Sequence, residues 1–284
     1  MNSIAYFTTV LPPKLMKKLC LIYKPLLLLF FSIGTQIFAQ SGISVSPPRT
    51  YFTLNPGESD RKKILVTNVS DVSTLELSIS FNDWKYDNYG SNVISDPNTL
   101  TISAAKWITV LSGNVFKLGP KESKEIEVLM QVPDKINSEN IHTAMMYITQ
   151  TNPVEGKNKS GENIKISIRT GVKIYQRLNI GRNQDIDFTD FKFDKANNQL
   201  ILNVQNDGNV WSEGTIKNEL INQETGKQTI LKDVVFYSLP NDKRIVLMSL
   251  PEDLEKGNYI VTATLALDDV ENIKIAELSF SNEK

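Results

Sequence analysis

Apolar and polar positions alternate along nearly the whole chain beyond residue 40. Short runs rich in Ile, Val, Thr, Tyr and Phe recur about every ten residues: "RTYFTL", "RKKILVTN", "LELSISFNDW", "WITVL", "NVFKL", "KEIEVLMQV" and "HTAMMYITQ" in the first half. The second half continues with "IDFTDFKF", "QLILNVQN", "TIKNELIN", "KQTILKDVVFY", "KRIVLMSL", "NYIVTATLAL" and "IKIAELSF". A period of two with β-branched enrichment predicts strands. Turn signals such as "NPGES", "GPKES", "NDGN", "ETGK", "LPND" and "EKGN" separate them. No segment carries a helical period. So many short strands exceed one small sandwich, and the pattern predicts an all-β chain of two Ig-like β-sandwiches in tandem. The boundary falls near "NIGRNQDID", with residues 40–180 in the first domain and 181–284 in the second.

One stretch stands apart. In "ENIKISIRTGVKIYQRL", residues 162–178, the even positions Ile164, Ile166, Ile168, Thr170, Val172 and Ile174 are apolar or β-branched, and the odd ones mostly polar. This predicts a single half-buried strand, longer than the usual five or six residues. A polar loop, "TNPVEGKNKSGEN", leads into it. On the residues alone, the isoleucines read as the inward face of a sandwich strand.

The N-terminus breaks the pattern. Lys17, Lys18 and Lys24 precede an apolar run from Leu26 to Phe31, and Ala39 follows. This is the form of a secretory signal peptide over residues 1–39, with Met16 as the start and cleavage after Ala39. The alternative is a membrane anchor, but the run falls short of the roughly 20 apolar residues a span needs. The mature protein is expected to be soluble and exported. Removing the leader takes away Cys20, the only cysteine, so no disulfide can staple the sandwiches. It also takes four lysines, so 31 basic and 32 acidic residues become 27 and 32. That balance offers no basic face for nucleic acid or an anionic membrane.

Candidate chemistry is sparse. A Ser-His-Asp or Cys-His site needs a histidine, and the chain has one, His142, on an apparent strand beside Met145 and Met146; the mature chain has no cysteine and no histidine pair for zinc. No glycine-rich phosphate loop follows a strand. "LDDVEN", with Asp268, Asp269 and Glu271, reads as an acidic hairpin turn rather than a calcium loop, and Trp84, Trp107 and Trp211 as packing rather than a sugar platform. The chain is expected to be no enzyme, to use no cofactor or metal, and to take no small-molecule substrate.

Four stretches in order carry a resemblance: "ISVSPPRTYFTLNPGES", "RKKILVTNVSD", "VFKLGPKESKEIEVLM" and "IKISIRTGVKIYQR". Residues 43–180 resemble the N-terminal domain of PapD-like periplasmic chaperones of the chaperone–usher pilus pathway. The resemblance implies that the long strand is donated to a pilus-like or secreted β-sandwich subunit that lacks its own last strand. Backbone pairing would give affinity and alternate side chains would fill the subunit's groove. Ile164, Ile166 and Ile168 match the donor row. Arg49 and Lys173 match the pair that grips the subunit's C-terminal carboxylate, through charge-assisted bonds of roughly 1.5–3 kcal/mol each. The resemblance also implies the periplasm and admits an outer-membrane usher as a partner.

Departures accompany it. Gly171 stands where the family has a second basic residue, and Leu178 where it has proline. His142 stands where an acidic residue pairs the arginine matched by Arg177, with Glu139 a nearby substitute. The second half resembles generic fibronectin-like or Ig-like envelope domains, with Tyr259 expected at a sandwich corner. An Ig-like envelope adaptor that donates no strand is the alternative function.

Overall fold

The computed structural model describes residues 42–137, 139–158, 160–268 and 273–283. The leader, Cys20, Asp269 and Glu271 lie outside the described residues. Among the described residues the regular elements are all strands, apart from one 3-10 turn, Ala105–Trp107. The all-β, two-sandwich expectation is met.

In the first sandwich, one sheet runs Ile43–Ser46, Ser59–Asn68, Ser123–Gln131, Ile108–Val110. The facing sheet runs Arg49–Thr53, Arg169–Arg177, Ile141–Gln150, Leu75–Tyr86, Asn92–Ser95, with Val115–Leu118 also beside Leu75–Tyr86. Pro47 and Pro48 separate the opening two strands, which belong to different sheets. Proline has no N–H to give a ladder, so the chain leaves one sheet there and enters the other. Between the sheets lies a core that includes Phe52, Ile64, Leu75, Leu77, Ile126, Met146, Val172 and Ile174, all essentially inaccessible.

In the second sandwich, Ile186–Asp194, Gln199–Asn206 and Lys243–Ser249 face a sheet ordered Gln228–Ile230, Ser212–Asn222, Gly257–Leu267, Ile273–Asn282. Val234–Ser238 pairs the same strand, Ser212–Asn222, as Gln228–Ile230 does. "KQTILKDVVFY" is therefore two short strands. Leu231, between them, turns into the core. Tyr259 is buried, and its hydroxyl donates to the Glu255 carbonyl at 2.8 Å, a corner contact four residues upstream. Among the described residues, no strand of 43–177 pairs with one of 186–282.

The long strand of residues 162–178 is the main correction. It breaks at Ser167–Ile168 into Asn163–Ile166 and Arg169–Arg177. The neighbouring strand is the cause: Ile141–Gln150 ends at Gln150, whose N–H donates to the Ile168 carbonyl at 2.8 Å and whose carbonyl accepts from Ser167 Oγ at 2.5 Å. Past that point the sheet offers no partner. Asn163–Ile166 folds back on Val154–Lys157 in a hairpin of its own, so the loop read from sequence contains a strand. In that register Val154 lies opposite Ile166 and Gly156 opposite Ile164, so the apolar residues share one face. Ile164, Ile166 and Ile168 belong to neither sandwich core, and Ile166 is 47% exposed. Val172 and Ile174 are the inward-facing members of the row.

This division predicts two mutational outcomes. Ile174→Ala should lower stability by about 2–5 kcal/mol, as a cavity in a closed core does. Ile166→Ser should stay within about 0.5 kcal/mol of the parent. Urea unfolding midpoints measure both, and equal losses would place the hairpin inside the cooperative core.

Candidate functional site

Arg49–Thr53 and Arg169–Arg177 form the parallel ladder of the first sandwich. Lys173 pairs with Arg49, and the register continues through Tyr175 and Tyr51 to Arg177 and Thr53. Residues opposite one another on adjacent strands point to the same side. The inward side carries Ile174, Thr50 and Phe52. The outward side carries Lys173, Arg49, Tyr175 and Tyr51, so the two cations matched by resemblance are immediate neighbours.

The outward face is covered by the second sandwich, which gives it an unusual environment. A cluster of Trp84, Tyr86, Met145 and Tyr175 packs with Leu239, Trp211 and Tyr237. Tyr51 stacks on Tyr175 and on Trp211, each with centroids 5.1 Å apart, and Tyr86 stacks on Tyr237 at 6.4 Å. Trp84 meets Tyr175 edge-on at 5.4 Å. Arg244 from the second sandwich lies over the Tyr86 ring at 5.3 Å, and the Ile245 N–H donates to the Asn88 carbonyl at 2.7 Å. Offset and edge-on pairs of this kind each add about 0.5–1.5 kcal/mol beyond the area they bury.

The two cations are served unequally. Arg49 Nη1 donates to Glu213 Oε2 at 2.6 Å, and the guanidinium lies 4.8 Å over the Tyr237 ring. Burial opposes its charge, but the Tyr237 side chain and the Glu213 carboxylate outweigh burial and raise its pKa. Lys173 has no carboxylate partner among the described residues. Its Nζ donates to the Tyr86 hydroxyl at 3.0 Å and sits 4.2 Å over Trp84 and 4.4 Å over Tyr86. Burial, and then the neighbouring Arg49, push its pKa down to about 8. Burial likewise pushes the Tyr86 hydroxyl up to about 12.

A cavity of about 680 Å³ opens beside this pair, lined among others by Pro47, Pro48, Tyr147, Gly171, Arg49 and Lys173. Gly171 explains one departure from the family pattern. A Cβ there would stand 2.9 Å from Met145 Sδ and 3.2 Å from Tyr147 Cε1, so a longer side chain would crowd the cavity wall. The second departure also has a structural account. His142 is buried, with Nδ1 2.9 Å from Gln176 Oε1, Nε2 3.0 Å from Asn137 Oδ1, and its ring 4.3 Å from Trp107. Burial pushes its pKa down. It fills the place with a hydrogen-bonded ring, and the expected substitute pair of Glu139 with Arg177 is absent among the described ion pairs.

One backbone edge bears on the site. Arg169–Arg177 pairs Ile141–Gln150 along its whole length, but Arg49–Thr53 covers only residues 173–177 of its other side. Among the described residues no strand forms a ladder with 169–172 there, although Ile43–Ser46 lies near and the Thr170 hydroxyl donates to the Ile43 carbonyl at 3.5 Å. Sequence reasoning missed Glu213, Tyr237 and Arg244. "WSEG" and "VVFYS" carry no pattern that marks them as partners of residues far away in the chain.

No protein-family model matches the chain. No curated protein matches it either. Solved structures do. The YadV chaperone is similar at 11% identity, covering 84% of this chain and 99% of its own, with a TM-score of 0.47. The CsuC–CsuE chaperone–tip adhesion subunit pre-assembly complex of Acinetobacter baumannii gives 11% identity, 84% and 98% coverage, and 0.47. The Salmonella enterica SafA pilin–SafB chaperone complex gives 12%, 86%, 97% and 0.45.

The desolvation of Lys173 has a measurable consequence. Its pKa lies below the ordinary lysine value of 10.5, so between about 8 and 10.5 the unfolded chain holds more protons. Wild-type stability therefore rises with pH across that window. Below it the buried charge costs stability, offset in part by the two aromatic faces and by remaining solvent contact. Lys173→Met should raise the Tm at pH 7 by about 2–4 °C, which corresponds to about 1 kcal/mol in a protein of this size. The gap should close as the pH climbs toward 10.5. A lower Tm for the variant at pH 7 would show that Lys173 is stabilising as it stands.

Proposed function

We propose that the chain is an exported, periplasmic chaperone that caps an unfinished β-sandwich subunit, pilus-like or secreted, by strand addition. Arg49 and Lys173 hold the subunit's C-terminal carboxylate, and Ile164, Ile166 and Ile168 enter its open groove. The observation that carries this reading is the pairing of Lys173 with Arg49 at one register position beside a cavity, with a carboxylate on only one of them. A lysine kept charged at a cost in stability is a functional-site signature.

Two further observations support it. The edge of residues 169–172 that lacks a ladder is continuous in sequence with the apolar face of the 163–166 segment. A strand added along this edge would run out at Lys173, where Arg49–Thr53 takes over the ladder, so its terminal carboxylate would arrive between the two cations. Anchoring that end sets the register, and a slip of one residue would turn every isoleucine out of the groove. The apolar row is also available, because neither core uses it.

Co-purification of a β-sandwich subunit from periplasm tests the proposal. Lys173→Ala should fold and lose several-fold in recovery. Ile166→Asp should fold, since the site is exposed, and lose capture through the cost of burying a charge in an apolar groove. Capture should also depend on pH with a definite sign. A bound carboxylate raises the pKa of Lys173, so affinity is full below about 8 and declines as the pH rises above it. Unchanged recovery with both variants would sink the chaperone reading and leave an envelope adaptor that donates no strand.

A further inference from the structure

We infer that Glu213 is an internal competitor for the carboxylate site: it holds Arg49 until an incoming carboxylate displaces it. The inference rests on the carboxylate-anchor reading of Arg49 and Lys173 and adds a selection step to it.

Both Glu213 oxygens face the anchor. Oε2 accepts from Arg49 Nη1 at 2.6 Å, and Oε1 accepts from the Tyr51 hydroxyl at 3.4 Å. Arg49 and Tyr51 both line the large cavity. The pair is within reach of solvent, with side chains 30% and 20% exposed, so a soluble anion can contest it. Glu213 also has space to withdraw into, because a smaller cavity of about 220 Å³ adjoins it, lined by Tyr51, Trp211, Glu213 and Asp268 and not by Arg49. Asp268 makes that retreat costly through like charge, which keeps Glu213 on Arg49 by default.

The asymmetry of the two cations decides who wins. Glu213 pairs Arg49 directly and reaches Lys173 only through its field, so the direct contacts of Lys173 are with neutral groups, Tyr86 and Trp84. A carboxylate that reaches only Arg49 gains nothing over Glu213, which is already tethered there. A carboxylate lying between Arg49 and Lys173 gains direct contact with a second charged partner, on which Glu213 acts only through its field. Glu213 therefore favours a terminal carboxylate delivered along the ladder over anions that touch the arginine alone, a discrimination achieved by competition. The ring contacts of Tyr51, Tyr175 and Trp211 and the Ile245–Asn88 backbone bond are made without Glu213, and the Tyr51 hydroxyl bond is the one contact of that stack its withdrawal releases. Displacement is thus a local event at the joint.

The probe is N-acetyl-valyl-phenylalanine as the free acid, with its amide as the control. NMR of the 13C-labelled Lys173 side chain follows binding to the full mature chain at pH 7. The acid should bind the wild type and the amide should not, and Glu213→Gln should bind the acid about tenfold more tightly. In the wild type, the Glu213 side-chain carboxylate signal should shift as the acid saturates and stay still with the amide. This second readout does not depend on the variant's fold. Equal or weaker binding by Glu213→Gln, or an unmoved Glu213 signal at saturation, would overturn the competitor role while leaving the anchor intact. Acid binding no better than amide in either protein would remove the anchor and the competitor together.

Discussion

The site depends on one parallel ladder. Arg49–Thr53 meets Arg169–Arg177 only from residue 173 onward, and the first pair of that register is Arg49 with Lys173. Everything else follows from where the ladder begins. Pro47 and Pro48 cannot extend it backwards, so the edge of residues 169–172 is left without a ladder. The parallel register sets two cations side by side on the outward face. Had the strands been shifted by one residue, one of the pair would have pointed into the apolar core.

Two neighbouring cations would repel and pull in water if the face were open. Here the second sandwich closes over it, with Trp211, Tyr237 and Leu239 against Trp84, Tyr86 and Tyr175. The aromatic cover lowers the local dielectric, which strengthens any ion pair made there and penalises any charge left without one. Arg49 meets that penalty with Glu213, but Lys173 has only the faces and hydroxyl of its aromatic cage. The joint between sandwiches and the anion deficit are thus one feature: the packing that holds the halves together also leaves Lys173 short of a partner.

The strands were largely legible in the sequence because each carries its own evidence, a period of two bounded by turn residues. "LELSISFNDW" and "NYIVTATLAL" needed no knowledge of their neighbours. The break at Ser167 was not legible, because it is caused by the end of a different strand at Gln150. The alternation runs on unbroken through it. Val172 and Ile174 were read correctly as buried, while Ile164 and Ile166 share their pattern and not their fate. The adjacency of Arg49 and Lys173 came from family resemblance and not from periodicity, which cannot choose strand partners. Glu213 was out of reach for the same reason, since 164 residues separate it from Arg49.

The hairpin of Val154–Lys157 with Asn163–Ile166 is a form of edge protection. An exposed apolar strand edge invites pairing with any other chain, and folded proteins blunt such edges. Closing Asn163–Ile166 on Val154–Lys157 satisfies one side of its backbone within the molecule. It also gathers Val154, Ile164 and Ile166 on one face, where each shields the others in part. A two-stranded hairpin standing outside a core is only marginally stable in water. The segment is therefore held by little, and its self-pairing yields to a better partner at small cost. If the segment is donated as proposed, a partner that offers a longer groove competes with only four backbone pairs, whereas an adventitious strand would also have to reach Arg49 and Lys173 to be anchored. On the proposed reading the weak hairpin and the contested anchor would act at opposite ends of one edge, and a strand that met only one of these conditions would gain little.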